Sequence, residues 1–105
     1  MSADTLRFLG LMRRAGRLSV GEEGTAQAVR AGKACLLLLA LDASPNARKR
    51  AEAFAFHKKL PIVTLKADKA ALSDALGIPA SAMFAVCDQG FAQALQEKLR
   101  ASDAD

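Results

Sequence analysis

The sequence predicts an α/β protein: a three-layer α/β/α sandwich built around a small four-stranded mixed sheet. Four short apolar runs separate five segments in which apolar residues recur at helical spacing. Helices and strands that alternate strictly along a chain usually form a parallel or mixed sheet with helices on both sides. The 105 residues, of which 51% are hydrophobic and 25% charged, are expected to form a single domain over residues 1–105 with one modest core.

The first helix is predicted over residues 5–15, where leucine and methionine recur at a spacing of three. Asp4 or Thr5 is the expected N-cap, because a short polar side chain there can accept a hydrogen bond from the first turn. Gly16 suits the left-handed position that follows a helix. The alternating residues 17–20 then predict a short edge strand.

The second helix is predicted over residues 22–31, with Gly32 closing it. Residues 35–41 form a continuous apolar run of mostly leucine. Leucine favours strands only weakly, but the run is short and lies between two predicted helices. A strand buried on both faces is the consistent interpretation.

Ser44 and Pro45 form a strong helix start, because serine can cap and proline at the first helical position lacks only an N–H that would be unpaired there. This third helix is expected to run to about Lys59, since Pro61 disfavours helical geometry just before it. Residues 62–65, of which the first three are β-branched, predict the next strand.

Asp68 is the expected cap of a short fourth helix, and Gly77 its end. The inward face of this helix is expected to consist of Ala71, Leu72, Ala75 and Leu76. Residues 83–87 predict the last strand, and Asp88 the cap of the last helix.

The chain carries 15 basic and 11 acidic residues, a formal net charge of +4. Residues 1–66 hold twelve basic and five acidic residues, or +7, whereas residues 67–105 hold three and six, or −3. A basic excess of this size indicates an anionic partner, although an idle solvated face can have the same composition. Both interpretations stay open on charge alone.

No motif indicates an enzyme, a cofactor or a metal site. The sequence has no nucleophile elbow, Walker loop or dinucleotide fingerprint, and its one histidine, His57, has no partner at metal-ligand spacing. Cys35 and Cys87 are expected to be reduced core residues, with a Cys/His nucleophilic pair as the weaker alternative. The longest apolar run is far below the ~18 residues that span a bilayer. We therefore expect a cytoplasmic protein without membrane or small-molecule partners.

Two local patterns have both a ligand-binding and a structural interpretation. Asp42 and Asp88 each follow a strand, and parallel strands would bring both carboxylates to one edge of the sheet, where ligands often bind. Both also precede helices, which favours a capping role. Residues 21–24, Gly-Glu-Glu-Gly, open a helix after a strand as phosphate cradles do, but two glutamates there oppose an anion.

Several pieces of the sequence occur in one order in a known family. They are Gly21, residues 28–34, 38–45, 60–62 and 76–78, and the Asp-Gln-Gly-Phe-Ala of residues 88–92. With them the chain resembles, nearly end to end, the kink-turn-binding ribosomal protein L7Ae/L30e superfamily. The Gly-Glu-Glu form at residues 21–23 and the Asp-Gln-Gly-Phe-Ala of residues 88–92 look most like its bacterial YlxQ-like branch. Members of that branch can be fused to a partner domain, which leaves open that this chain belongs to a longer protein.

The resemblance implies a non-catalytic, ribosome- or translation-associated protein that binds structured RNA, ribosomal or other. In the family, the end of the first strand, the start of the second helix and the loop before the last strand hold the bent backbone of a kink-turn. Bent RNA concentrates phosphates and exposes base edges to polar side chains. This surface is the expected RNA-binding site.

The start of the second helix departs from the family pattern Gly-x-Asn-Glu-x-x-Lys. Gly21 matches the glycine and Glu22 the free position that follows it. Glu23 then occupies the Asn place, Gly24 the Glu place and Gln27 the Lys place. Because the residues that read the bases are largely replaced, we expect altered specificity.

Other residues complete the expected RNA-binding site. Arg17 matches a basic position on the approaching strand, Lys69 lies near another, and Lys33 follows the second helix. The apolar loop that packs against a flipped-out nucleotide is matched by Ile78, Pro79 and Ala80.

A second functional hypothesis uses the same scaffold without specific RNA binding. The acidic corner at residues 21–24 would then meet a basic partner, such as another nucleic-acid-binding protein.

Overall fold

The computed structural model describes the backbone of residues 1–104 and the side chains of residues 1–101. Helices and strands alternate as predicted, and the sheet contains four strands. The elements are α1 (Ala3–Arg14), β1 (Leu18–Val20), α2 (Gly21–Arg30), β2 (Leu36–Leu39), α3 (Pro45–Phe56), β3 (Ile62–Thr64), α4 (Lys69–Leu76), β4 (Met83–Val86) and α5 (Gln89–Ala104).

The sheet is mixed, as predicted, with the strand order β1-β4-β2-β3. Strand β4 is antiparallel to both β1 and β2, while β2 and β3 are parallel. The leucine run of β2 therefore lies in the interior of the sheet, and all four of its residues are buried. Strands β1 and β3 form the two edges.

Alternation along the strands separates two helical layers. Leu36, Leu38 and Phe84 pack with buried residues of α1, α4 and α5 on one face of the sheet. Leu37 and Ala85 pack with α2 and α3 on the other face. The three-layer prediction is confirmed, and α2 and α3 are the helices that share a face with the predicted binding residues.

Most of the predicted helix caps are confirmed. Backbone N–H groups in the first turns of α3, α4 and α5 donate to Ser44 Oγ at 3.1 Å, Asp68 Oδ1 at 2.8 Å and Asp88 Oδ1 at 2.8 Å. The prediction for α1 is wrong, because its cap is Ser2, whose extended backbone lets Oγ accept from the N–H of Thr5 at 3.1 Å. Asp4 lies inside the first turn instead.

The fourth helix buries a narrower stripe than predicted. Leu72 and Leu76 are buried, whereas Ala71 and Ala75 are exposed. A helix of eight residues turns only one side towards α1 and the sheet, and the residues preceding each leucine fall outside that side. The third helix is also shorter than predicted and ends at Phe56.

Asp42 and Asp88 lie at opposite ends of the sheet, because β2 and β4 are antiparallel. Asp42 Oδ1 accepts from the backbone N–H of Lys69 at 2.9 Å and so helps to cap α4, while Asp88 caps α5. The two carboxylates form no joint ligand site, and the capping interpretation is confirmed.

Both cysteines are free thiols packed against the core, but they are half-buried and so less buried than predicted. Cys35 packs on the side of α1 and α5 and Cys87 on the side of α2 and α3. Both lie just beyond the strands, where the helices cover the sheet less completely. Burial raises the pKa of the Cys35 thiol, with added effects of Cys87 and Asp88, which lowers its nucleophilicity at neutral pH.

Thr25 in α2 is 0% exposed, and its Oγ1 has no hydrogen-bond partner among the residues whose side chains are described. We expect Thr25→Val to raise the free energy of unfolding by about 1 kcal/mol, because an unsatisfied buried hydroxyl costs roughly 1–3 kcal/mol and valine keeps the shape. Urea unfolding measures the change. The control is Thr64→Val at an exposed position, which should not stabilise because Thr64 Oγ1 accepts from Arg48 Nη2 at 3.1 Å. A less stable Thr25→Val protein would contradict the prediction.

Candidate nucleic-acid interface

Strand β1 turns directly into α2 at Gly21. The cap residue Val20 is extended and makes no side-chain hydrogen bond to the helix. Gly21 has φ +85°, a left-handed value that strains any residue with a side chain. The first N–H groups of α2 thus have no side-chain cap, and such groups at the positive end of a helix dipole attract anions.

The loop before β4 lies beside this helix start. Gly21 and Glu22 line one shallow depression together with Ala80 and Ser81 of that loop. We call this the corner depression. A Cβ atom added to Gly21 would lie 4.0 Å from Ser81 Oγ, which shows how closely the loop approaches. The start of α2 and the loop before β4 therefore share one surface.

Within the loop, the three residues of the predicted apolar contact differ in exposure. Ile78 is only 7% exposed and packs in the core with α1 and α4. Pro79 and Ala80 are exposed. Of these three residues, Ala80 lines the corner depression, and Pro79 is exposed next to it in the loop.

A longer groove runs along α2 beside the edge strand β1. Its lining includes four of the predicted residues, Arg17, Gly24, Gln27 and Lys33, together with others such as Ser19 and Cys87. We call it the α2 groove. Val20 lines the α2 groove and its chain neighbour Gly21 lines the corner depression, so the two surfaces lie close together at the start of α2. Strand β1 is roughly 10 Å long at the usual rise per residue, and the part of the groove beside it has the same length.

Backbone contacts fix the basic end of the α2 groove. The carbonyl of Arg17 accepts from the Cys87 N–H at 2.8 Å, which ties the start of β1 to the end of β4. Gly32, at φ +73°, turns the chain so that the Lys33 N–H donates to the Ala28 carbonyl at 3.0 Å. Arg17 and Lys33 are both exposed at this end. The two cations therefore flank one end of the groove and Gly21 lies near the other.

Small residues let α2 approach the strand. A Cβ atom at Gly24 would lie 3.7 Å from the Cβ of Ser19. Gln27 is exposed one turn further along the same side of α2 and also lines the groove. An amide group can both donate to and accept from a base edge.

The two glutamates at the start of α2 have different surroundings. Glu22 Oε2 accepts from Arg50 Nη1 of α3 at 3.1 Å, so its charge is largely compensated. Glu23 is exposed and forms no ion pair within the part of the chain whose side chains are described. At this corner Glu22 is therefore ion-paired, whereas Glu23 has no such partner among the described side chains.

Some basic residues do not join the groove. Lys69 lies at the start of α4 and lines neither the α2 groove nor the corner depression. Arg14 lines a depression between α1 and α4, and its Nη1 lies 3.7 Å from the position of a Cβ on Gly10. The positive side of the candidate interface therefore consists of Arg17 and Lys33.

Sequence reasoning missed several residues that form or flank this surface. Ser19 and Cys87 line the α2 groove, with Ser19 Oγ 3.7 Å from Cys87 Sγ. Arg50 compensates Glu22 although 28 positions separate them in the sequence. The alternation of β1 could have placed Ser19 beside Arg17, but no local signal points to the other two.

The chain is thus a small α/β protein with a layered fold and a polar groove beside an uncapped second helix. Residues 4–96 match the model of the Ribosomal protein L7Ae/L30e/S12e/Gadd45 family, and the chain belongs to that family. The resemblance predicted from the sequence is thereby confirmed. Among residues 1–104, none of the helices has the length and apolar character needed to cross a membrane.

Two curated relatives have the same name, RNA-binding protein YlxQ. The protein of Enterococcus faecium is 33% identical over 92 residues, covering 88% of this chain and 87% of the relative. The protein of Bacillus subtilis (strain 168) is 36% identical over 88 residues, covering 84% and 87%. The similarity to the YlxQ branch predicted from the Gly-Glu-Glu form is confirmed.

Solved structures have the same fold. A protein with unknown function from Bacillus halodurans C superposes with a TM-score of 0.84 at 28% identity, over 94% of this chain and 99% of that chain. The Giardia lamblia 15.5kD RNA binding protein superposes with a TM-score of 0.71, over 96% and 92% of the two chains. At 19% identity, the second similarity shows the fold alone.

Proposed function

We propose that the protein is a non-catalytic RNA-binding protein that contacts structured RNA along the α2 groove and the corner depression. The observation that carries this proposal is that Arg17, Gln27 and Lys33 line one groove beside the uncapped start of α2. The names of the YlxQ relatives support RNA as the ligand.

Each part of the surface has a distinct role in the proposal. Arg17 and Lys33 bind phosphates, and the exposed N–H groups at the start of α2 bind another anionic oxygen. Gln27 hydrogen-bonds a base edge, and Pro79 and Ala80 pack against an unstacked base. Arg50 assists by compensating Glu22, which lowers the repulsion that a phosphate would meet at the corner depression.

The preferred RNA is kink-turn-like but is recognised with altered specificity. Glu23 only accepts hydrogen bonds, Gly24 offers no side chain, and Gln27 offers no charge. The backbone of a bent RNA can still be held while the G·A pairs at the bend are read less tightly. We place this activity in a single unit over residues 1–105, in the cytoplasm and in association with the ribosome or translation, as the family description suggests.

A gel-shift comparison tests the proposal. A kink-turn RNA and a duplex of equal length are titrated with the protein at two salt concentrations. We expect tighter binding to the kink-turn at both concentrations, with a smaller salt slope than a purely electrostatic binder would have. Equal, weak binding to the two RNAs would refute specific recognition.

Restoring the missing cation should tighten recognition. We expect Gln27→Lys to increase kink-turn affinity by on the order of 1 kcal/mol, roughly fivefold, through one charge-assisted hydrogen bond. Gln93→Lys adds the same charge at an exposed position of α5 on the other sheet face and serves as the control. Unchanged affinity of Gln27→Lys, or an equal gain in both variants, would mean that this turn of α2 does not touch the RNA.

Glu23 supports a second candidate function, a protein-interaction module. Its carboxylate is exposed beside a helix start and has no ion-pair partner among residues 1–101, so a basic protein could supply one. A pull-down from nuclease-treated lysate separates the candidates. A partner retained without RNA and lost in Glu23→Gln would favour this function, whereas loss of all partners after nuclease treatment opposes it.

A further inference from the structure

The last residue of α3, Phe56, is 77% exposed, more than the other exposed large hydrophobic residues of the described chain. The ring of His57 stands edge-on to it, with centroids 5.4 Å apart and an interplanar angle of 81°. One exposed apolar residue is ordinary on a protein surface. The residues around Phe56 distinguish it from such an ordinary case.

Phe56 borders an open groove at the β3 edge of the sheet, the edge opposite to β1. Its lining combines the apolar residues Ala55, Leu60 and Ile62 with one carboxylate, Glu52, and one ammonium group, Lys59. We call it the α3 groove. It lies on the same sheet face as the α2 groove, because α2 and α3 belong to one layer.

The segment that forms the α3 groove is basic, although Glu52 and Lys59 contribute one charge of each sign to the lining itself. Residues 45–64 contain five basic residues and one acidic residue, so this segment alone has a net charge of +4, equal to that of the whole chain. Arg50 is paired with Glu22, but Lys49, Lys58 and Lys59 form no ion pair with any residue whose side chain is described. Exposed lysines without ion-pair partners attract phosphates, and an exposed aromatic ring can stack on a base. Together these two features favour a nucleic acid as the ligand.

Lys59 occupies a backbone position that suits glycine. Its φ of +54° is left-handed, and it is the one residue other than glycine with positive φ in the described chain. The chain turns here after α3, where glycine would be less strained. A lysine at this position disfavours folding slightly and places a cation on the rim of the α3 groove.

We propose that the α3 groove binds unpaired nucleotides of RNA, with a base stacked on Phe56 and phosphates bound by Lys58 and Lys59. When structured RNA is bound in the α2 groove, the unpaired nucleotides are a single-stranded extension of that RNA. The simultaneous use of both grooves therefore rests on the proposed function. Paired bases cannot stack on a protruding ring, whereas unpaired bases can. The ring protrudes from the surface and does not form a recessed pocket, which fits a base better than the apolar anchor of an acidic peptide.

The test uses three probes: a blunt kink-turn RNA, the same RNA with a single-stranded extension of about ten nucleotides, and the extension alone. Fluorescence anisotropy gives each dissociation constant. For the wild-type protein we expect the extension to improve affinity about five- to tenfold, within the range for one stacked base. Phe56→Ala should abolish this gain and leave affinity for the blunt RNA unchanged.

Three variants distinguish stacking from a structural effect. Phe56→Trp should keep the gain, because tryptophan also stacks on bases. Leu41→Ala removes another exposed apolar side chain, 58% exposed, and should keep it too. Lys59→Gly should raise Tm by a few degrees while lowering affinity for the extended RNA two- to fivefold. A variant that is more stable yet binds less cannot be explained by misfolding.

The outcomes separate the two proposals. If the protein failed to bind the blunt RNA, the proposed function would be contradicted. Phe56-dependent binding of the isolated extension would, in that case, still support nucleotide binding in the α3 groove. No gain from the extension, or an equal effect of Phe56→Ala on all three probes, would overturn the inference. Phe56-dependent binding of an acidic peptide without any effect of the extension would also overturn it, in favour of a protein ligand.

Discussion

Replacing both cations of the α2 groove, Arg17→Ala together with Lys33→Ala, is expected to lower kink-turn affinity about ten- to a hundredfold at low salt. Both side chains are exposed at one end of the groove, where phosphates would release counterions on binding. The slope of log affinity against log salt should become shallower by about two, roughly one for each lost phosphate contact. Titrations at four or five salt concentrations measure both effects.

Lys98→Ala is the matched control for this prediction. Lys98 lies on α5, on the other sheet face, where its Nζ is 3.0 Å from Asp4 Oδ2 and 5.2 Å from the centre of the Phe8 ring. We expect Arg17→Ala alone to weaken binding more than Lys98→Ala does. Comparable losses from the two single variants would indicate diffuse attraction and no defined site.

The second large effect concerns stability. Phe84→Ala is expected to lower the free energy of unfolding by about 3–5 kcal/mol, because truncating a buried aromatic residue leaves a cavity. Phe84 is 1% exposed in β4, with Val20 on one side and Leu38 on the other. Against the 5–15 kcal/mol typical of folded domains, this loss could remove most of the stability.

The same substitution at Phe56 provides the comparison. With 77% of Phe56 exposed, Phe56→Ala should change the free energy of unfolding by less than about 0.5 kcal/mol. Chemical denaturation followed by far-UV circular dichroism measures both variants. Similar losses for the two would mean that the ring of Phe56 is covered in solution, which would also count against its role in binding nucleotides.

Much of the fold could be predicted because the signals are local. The Ser44–Pro45 helix start, the cap at Asp68 and the left-handed Gly77 act within a few residues, and each is confirmed. The direction of a strand is not a local property. Strict alternation suggested that β2 and β4 run the same way, but they are antiparallel, which separates Asp42 from Asp88.

The candidate site could be predicted only where one segment forms it. The start of α2 follows from the family pattern around Gly21, and Arg17 and Lys33 flank α2 in sequence. The approach of Cys87 to Ser19 depends on the pairing of β1 with β4, and the approach of Arg50 to Glu22 on how α3 packs beside α2. Such contacts depend on the assembled fold and leave no trace in sequence spacing.

Both proposed binding grooves lie on the same face of the sheet. The sheet separates the α2 and α3 layer, which has a groove at each edge, from the layer of α1, α4 and α5. A nucleic acid reaching from one groove to the other would cross two helix widths, about 20 Å, without passing behind the sheet. A fluorophore on the exposed side of α5, for example at Arg100, would therefore report on tumbling of the complex without obstructing the ligand.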